Sequence, residues 1–94
     1  MNDGREETDI GKLIIRAKAQ LEALTGRPVN GVVAVEPEDG VWRVTLELVE
    51  LERIPASTNV IGRYELVVDD DGGLREFART QRYYNNRADE DDGY

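Results

Sequence analysis

A single α+β domain, one N-terminal helix packed on a four-stranded, mostly antiparallel curved sheet in the order α-β-β-β-β, is the fold this sequence predicts. Three observations predict it. One stretch near the N-terminus carries apolar residues at helical spacing. Beyond it the apolar residues recur in shorter runs, most clearly with a period of two. The runs are separated by brief clusters of Pro, Gly, Asn and Asp, and such short connections favour antiparallel neighbours. The chain has 94 residues, enough for one core and not two.

The helix is read at Asp9–Thr25. Thr8 or Asp9 offers a side-chain oxygen to a free amide of the first turn. Ile10, Leu13, Ile14, Ala17, Leu21 and Leu24 then form one apolar stripe, with Lys12, Arg16, Lys18, Gln20 and Glu22 largely off it. Gly26 supplies a left-handed stop, and Arg27-Pro28 forbids continuation. A helix of this length is marginal alone and needs a sheet to lie on.

The first strand is read at Val29–Glu36, with Asn30-Gly31 permitting a bend or bulge, and Pro37-Glu38-Asp39-Gly40 as a turn. The long strand Val41–Pro55 follows, about 40 Å if extended throughout. Trp42, Val44, Leu46 and Leu48 alternate there with Arg43, Thr45 and Glu47. The alternation slips at Leu48-Val49, which predicts a bulge or strong twist. Trp42, the single tryptophan, is expected to anchor the core, with its loss costing about 3–5 kcal/mol. Val60–Asp69 is the third strand, Asp69–Gly73 a hairpin turn and Leu74–Tyr84 the last strand. The turn's acids lack the spacing and distal glutamate of a calcium loop. The expected division is an acidic disordered segment 1–8, a domain 9–84 and an acidic polar tail 85–94.

The net charge of −8 lies mostly at the two ends. Residues 1–9 carry −3 and residues 89–94 carry −4, which leaves −1 for residues 10–88. Acidic ends of this kind solvate a chain. There is no cysteine and no histidine, so thiolate chemistry and the commonest general base and metal ligand are missing. No catalytic, cofactor-binding or metal-ligating residue is assigned, and a non-enzymatic protein is expected. No apolar run is long enough for a membrane span, and the first residues lack a signal-peptide pattern. A cytoplasmic location is expected.

Four segments in order, LEALTGRPVNGVVAV, WRVTLELVELERIP, STNVIGRYELVVDDDGGL and RTQRYYNNRADE, together resemble the gas vesicle protein O family. The resemblance covers roughly Leu13–Glu90. The sequence departs from the family pattern at Ala56-Ser57-Thr58-Asn59, where more acidic residues are expected. The resemblance implies an accessory protein of gas vesicle formation, an assembly factor or minor vesicle component that contacts other gas vesicle proteins. The helix-then-sheet order is also similar to small PepSY-type binding modules, at the level of fold alone.

The last strand and its exit concentrate Arg75, Phe77, Arg79, Arg82, Tyr83, Tyr84 and Arg87 against one acid, Glu76. Arginine and aromatic residues suit a protein interface, because both bury area while making directed contacts. Arg75, Phe77, Arg79, Arg82 and Tyr83 are the candidate interaction face, with Phe77, Arg79, Gln81 and Tyr83 sharing one parity. The competing reading is a half-solvated strand whose arginines pair with Glu47 and Glu65. The same residues also admit RNA contact and hence regulation of gas vesicle gene expression, which the near-neutral body and acidic ends oppose. An exposed edge strand offers a route to self-association. Glu47, Glu50 and Glu52 read as carboxylates of a solvated strand face rather than acid–base groups.

Overall fold

The computed structural model describes residues 2–85. Its elements are α1 (Asn2–Thr25), β1 (Val29–Glu38), β2 (Val41–Leu51), β3 (Val60–Val68) and β4 (Leu74–Tyr84), with a single 3-10 turn at Ala56–Thr58 between β2 and β3. The four strands form one sheet in the order β1-β2-β3-β4, antiparallel throughout. This is the expected α+β architecture. Of the expected C-terminal tail, all but Asn85 lies outside the described residues.

The helix begins at Asn2, seven residues ahead of the expected cap at Asp9. The added segment contains no proline, so nothing in its backbone interrupts the helix. The C-terminal stop is as expected: Gly26 takes φ 72° and its amide returns to the Glu22 carbonyl at 2.8 Å.

β1 runs to Glu38, two residues past the expected end, so Pro37 and Glu38 pair with Trp42 and Val41. The turn shrinks to Asp39-Gly40, both at positive φ (44° and 83°). That is the two-residue type I′ hairpin, whose twist matches the strands it joins. Pro37 is tolerated because β1 is an edge strand. The register of β1 shifts between Val29 and Gly31, at the expected site, and again between Val32 and Ala34. β2 ends at Leu51 rather than Pro55. Its bulge sits at Glu50, just past the expected Leu48-Val49, where Val49 pairs with Ile61 but Leu51 with Val60. Beyond it the Arg53 amide leaves the ladder and bonds the Asn59 side chain at 2.7 Å.

The inner, helix-side face of the sheet follows the even residues of β2. Val44, Leu46 and Leu48 are fully buried with Leu66, Val68, Leu13, Ala17 and Leu21. Trp42 is only partly buried at the margin of this cluster. Trp42→Ala is therefore expected to cost about 2 kcal/mol, less than the 3–5 kcal/mol or so of a fully enclosed aromatic; a urea melt measures it. The helical stripe is likewise buried only in its middle, since Ile10 and Leu24 stay exposed. The buried cluster takes only Leu13, Ala17 and Leu21 from the helix, so the stripe residues beyond them at either end lie outside its cover.

The helix crosses the sheet from the β3–β4 turn to the start of β1. At the first end, Gln20 donates to the Gly72 carbonyl (2.6 Å) and accepts from the Leu74 amide (3.0 Å). Gly72 has φ 91°, and a Cβ there would lie 3.0 Å from the Arg16 Cβ and 3.1 Å from the Leu13 carbonyl oxygen. Both the turn and the close helix exclude a side chain. At the other end Glu22 accepts from the Val29 amide at 2.8 Å. Among the described residues no helix is long and apolar enough to cross a membrane.

Candidate functional site

β4 carries the arginine–aromatic segment, and its register decides which side chains act together. The register shifts between Arg63 and Tyr64 and between Val67 and Val68 on β3, which leaves Thr80 and Arg75 as the extra residues of β4. Each bulge resets the alternation. Phe77 opposes Leu66, Arg79 opposes Tyr64 and Arg82 opposes Gly62, all on the inner face. Gln81 opposes Arg63 and Tyr83 opposes Ile61, on the outer face. The expected common parity of Phe77, Arg79, Gln81 and Tyr83 is therefore corrected: the two bulges divide them between faces. Arg75 is apart from both groups and pairs with Asp69 in the turn at 3.4 Å.

On the inner face, the β2 bulge turns Glu50 onto the sheet, with its side chain 11% exposed. Its carboxylate is a hub. The Tyr64 hydroxyl donates to Oε2 at 2.6 Å. Arg79 donates from Nη1 at 3.2 Å, and the Arg82 Nε lies 3.2 Å from Oε1. The carboxylate lies over Gly62, where a Cβ would come within 2.5 Å of Oε2 and 2.9 Å of Cγ. Burial alone would raise the Glu50 pKa, but the hydrogen bonds from Tyr64 and Arg79 and the charges of Arg79 and Arg82 outweigh it. The carboxyl is held below its ordinary range. Burial and the bond to Glu50 move Tyr64 the other way, so its hydroxyl stays a donor. The two guanidinium groups, each about half exposed, share this one carboxylate, which leaves an excess positive charge at the corner of the sheet.

On the outer face the arginines of β2 and β3 are matched by acids. Glu47 accepts from Arg63 at 2.7 Å and from the Tyr83 hydroxyl, and the Arg63 guanidinium lies 5.9 Å from the Tyr83 ring centroid. Arg43 bridges Glu38 (2.7 Å) and Glu65 (2.9 Å). Glu47 and Glu65 thus pair with arginines of β3 and β2, not with those of β4. Exposed cross-strand pairs of this kind contribute up to about 1 kcal/mol each, and they leave this face no positive charge in excess, since Glu36 and Glu76 lie on it as well.

A cleft of about 340 Å³ opens where the sheet ends, lined by Leu51, Arg53, Val60, Arg82, Tyr83 and Tyr84. Beside it the β2–β3 loop is held by Thr58 and Asn59 amides on Pro55 and Ala56 carbonyls, and by the Asn85 amide on the Asn59 carbonyl. Ile54 stands on that loop 99% exposed. Among the described residues no three acidic side chains converge to hold a metal ion. The expected solvated face for Glu50 is corrected, since the bulge turns its carboxylate inward onto Tyr64, Arg79 and Arg82. The sequence pattern did not single out Gly62 or the Arg53 side chain. The one available signal was the slip in alternation at Leu48-Val49, which, placed one residue later, turns Glu50 inward.

The sequence matches the model of the family described as gas vesicle synthesis protein GvpO over residues 2–91. It is 34% identical over 73 residues to gas vesicle protein O of Streptomyces sp. (strain CB03234), covering 78% of this chain and 57% of that protein. It is 31% identical over 68 residues to gas vesicle protein O1 of Halobacterium salinarum, covering 72% of this chain and 57% of that one. With gas vesicle protein O of Haloferax mediterranei it shares 31% over 70 residues, 73% of this chain and 50% of that protein. The chain thus spans between half and three-fifths of the length of these relatives. No solved structure matches.

Proposed function

This chain belongs to the gas vesicle protein O family, and from that premise we propose that it is a non-enzymatic accessory factor of gas vesicle formation that works by docking other gas vesicle proteins. The docking face is the inner corner of β4, built on Phe77, Arg79 and Arg82. One observation carries this reading: two half-exposed guanidinium groups are held in place by one carboxylate, beside an exposed Phe77, on a corner of the inner face that opens at the sheet end. Fixed arginines lose less freedom on binding than mobile ones, and an aromatic beside them supplies apolar area. The outer-face residue Tyr83 and the turn residue Arg75 serve the fold through Glu47 and Asp69.

Affinity capture of the tagged protein from a vesicle-forming host, with and without nuclease, tests the proposal. Gas vesicle proteins are expected in both samples, and Arg79→Glu with Arg82→Glu is expected to reduce their recovery at least tenfold while the circular dichroism spectrum stays that of the parent. Undiminished recovery with both changes would overturn the docking face. Recovery that vanishes with nuclease would replace it with RNA contact and a role in expression.

A further inference from the structure

We infer that the cleft at the open end of the sheet is a recognition site for a carboxylate-bearing apolar segment of a partner protein, with Arg53 and Arg82 holding the carboxylate. The inference rests on the docking reading above and specifies the chemistry of the partner.

The cleft has the two halves such a segment needs. Its floor is apolar: Leu51 ends β2 and the buried Val60 opens β3, directly opposite each other in the ladder. Tyr84, exposed and paired with Val60, forms the far wall. Its charged half is Arg53 and Arg82. Among the described residues the Arg53 guanidinium has no ion pair, since Arg53 bonds only through its backbone amide. Arg82 touches Glu50 through Nε, which leaves its terminal nitrogens for a ligand. A guanidinium fork matches a carboxylate in shape as well as charge.

The size and field of the site favour this occupant. About 340 Å³ is near the lower end of ligand pockets, room for one or two side chains and not for a folded surface. A polyanion would meet a chain whose net charge is −8, whereas a single carboxylate beside an apolar side chain meets Arg53 and Arg82, with the nearby Glu50 already paired to Arg79 as well. The bonded β2–β3 loop fixes where Arg53 starts, so the site is formed before a partner arrives.

The test is a titration of the full, 15N-labelled chain with the peptide acetyl-Leu-Glu-Leu-amide at up to millimolar concentration, followed by amide chemical shifts. Shifts concentrated at Leu51, Arg53, Val60, Arg82 and Tyr84 are expected. A Gln-for-Glu peptide and the exposed-loop variant Arg53→Gln are each expected to lower the affinity at least fivefold. Absence of shifts at the cleft, or equal affinity in either control, would overturn the inference, as would a uridine decamer that moves the same amides at lower concentration. Peptide binding at the cleft without capture of gas vesicle proteins would leave this site standing and remove the vesicle role. Capture without peptide binding would do the reverse.

Discussion

Replacing Leu46 with alanine is expected to destabilise the fold by about 2–5 kcal/mol, the range for a large aliphatic residue removed from a closed core. Leu46 is 0% exposed. It pairs with Val32 on one side and Tyr64 on the other, and belongs to the buried cluster that includes Leu13, Ala17 and Leu21 of the helix. No neighbour can move in from solvent, because strands flank it and the helix lies above. A domain of this length has about 5–14 kcal/mol of stability in all, so the loss is a large share of the whole. Urea denaturation of Leu46→Ala beside Ile54→Ser makes the comparison. Ile54 is 99% exposed, and its change should fall within about 0.5 kcal/mol of the parent. Equal midpoints for the two variants would mean that the core does not lie between helix and sheet.

Adding one methyl group at Gly62 is expected to disable the Glu50 hub. A Cβ 2.9 Å from the Glu50 Cγ and 2.5 Å from Oε2 cannot coexist with the carboxylate where it lies. Gly62→Ala should therefore expel Glu50, leaving the Tyr64 hydroxyl without its acceptor and Arg79 facing Arg82. A lost charge-assisted network of this kind costs about 1–3 kcal/mol. Glu50→Ala should cost a similar amount, and the double variant little more than either one. That non-additivity is the signature of one shared interaction, and fully additive losses would refute it. The same carboxyl makes a pH prediction. Its pKa is below the ordinary range in the folded state, so its stabilisation is complete above the unfolded value and drains as pH falls through the folded one. Glu50→Gln should flatten that acid limb. Because burial together with the bond and charge of Glu50 holds the Tyr64 hydroxyl protonated, it should also soften the alkaline loss that Tyr64 causes.

The order of elements, the helical stop at Gly26 and the apolar face Val44-Leu46-Leu48 were legible because each depends on local pattern alone. The faces of β4 were not. Its bulges at Arg75 and Thr80 lie in an edge strand where polar residues stand on both sides, so no run of apolar residues records the slip. In β2 the slip did leave a trace, since Val49 and Leu51 break a clear alternation. What that trace could not convey was its partner: Glu50 can lie inward only because position 62, on the neighbouring strand, is glycine. The helix start at Asn2 was missed for a different reason, because Thr8 and Asp9 are good caps in isolation and nothing local says that the preceding acids will continue the helix instead.

The contacts of Gln20 also set an order of events during synthesis. The carbonyl and amide that seat this side chain, on Gly72 and Leu74, lie 52 and 54 residues further along the chain. A ribosome therefore delivers the helix long before it delivers the turn that receives it. Local β1–β2 pairing across a two-residue turn has no such wait. The Leu13–Leu21 stripe can meet Val44, Leu46 and Leu48 on the β1–β2 hairpin first, while its cover by Leu66 and Val68 and the seat of Gln20 wait for β3 and the turn after it. The last hairpin is therefore the step that completes the domain.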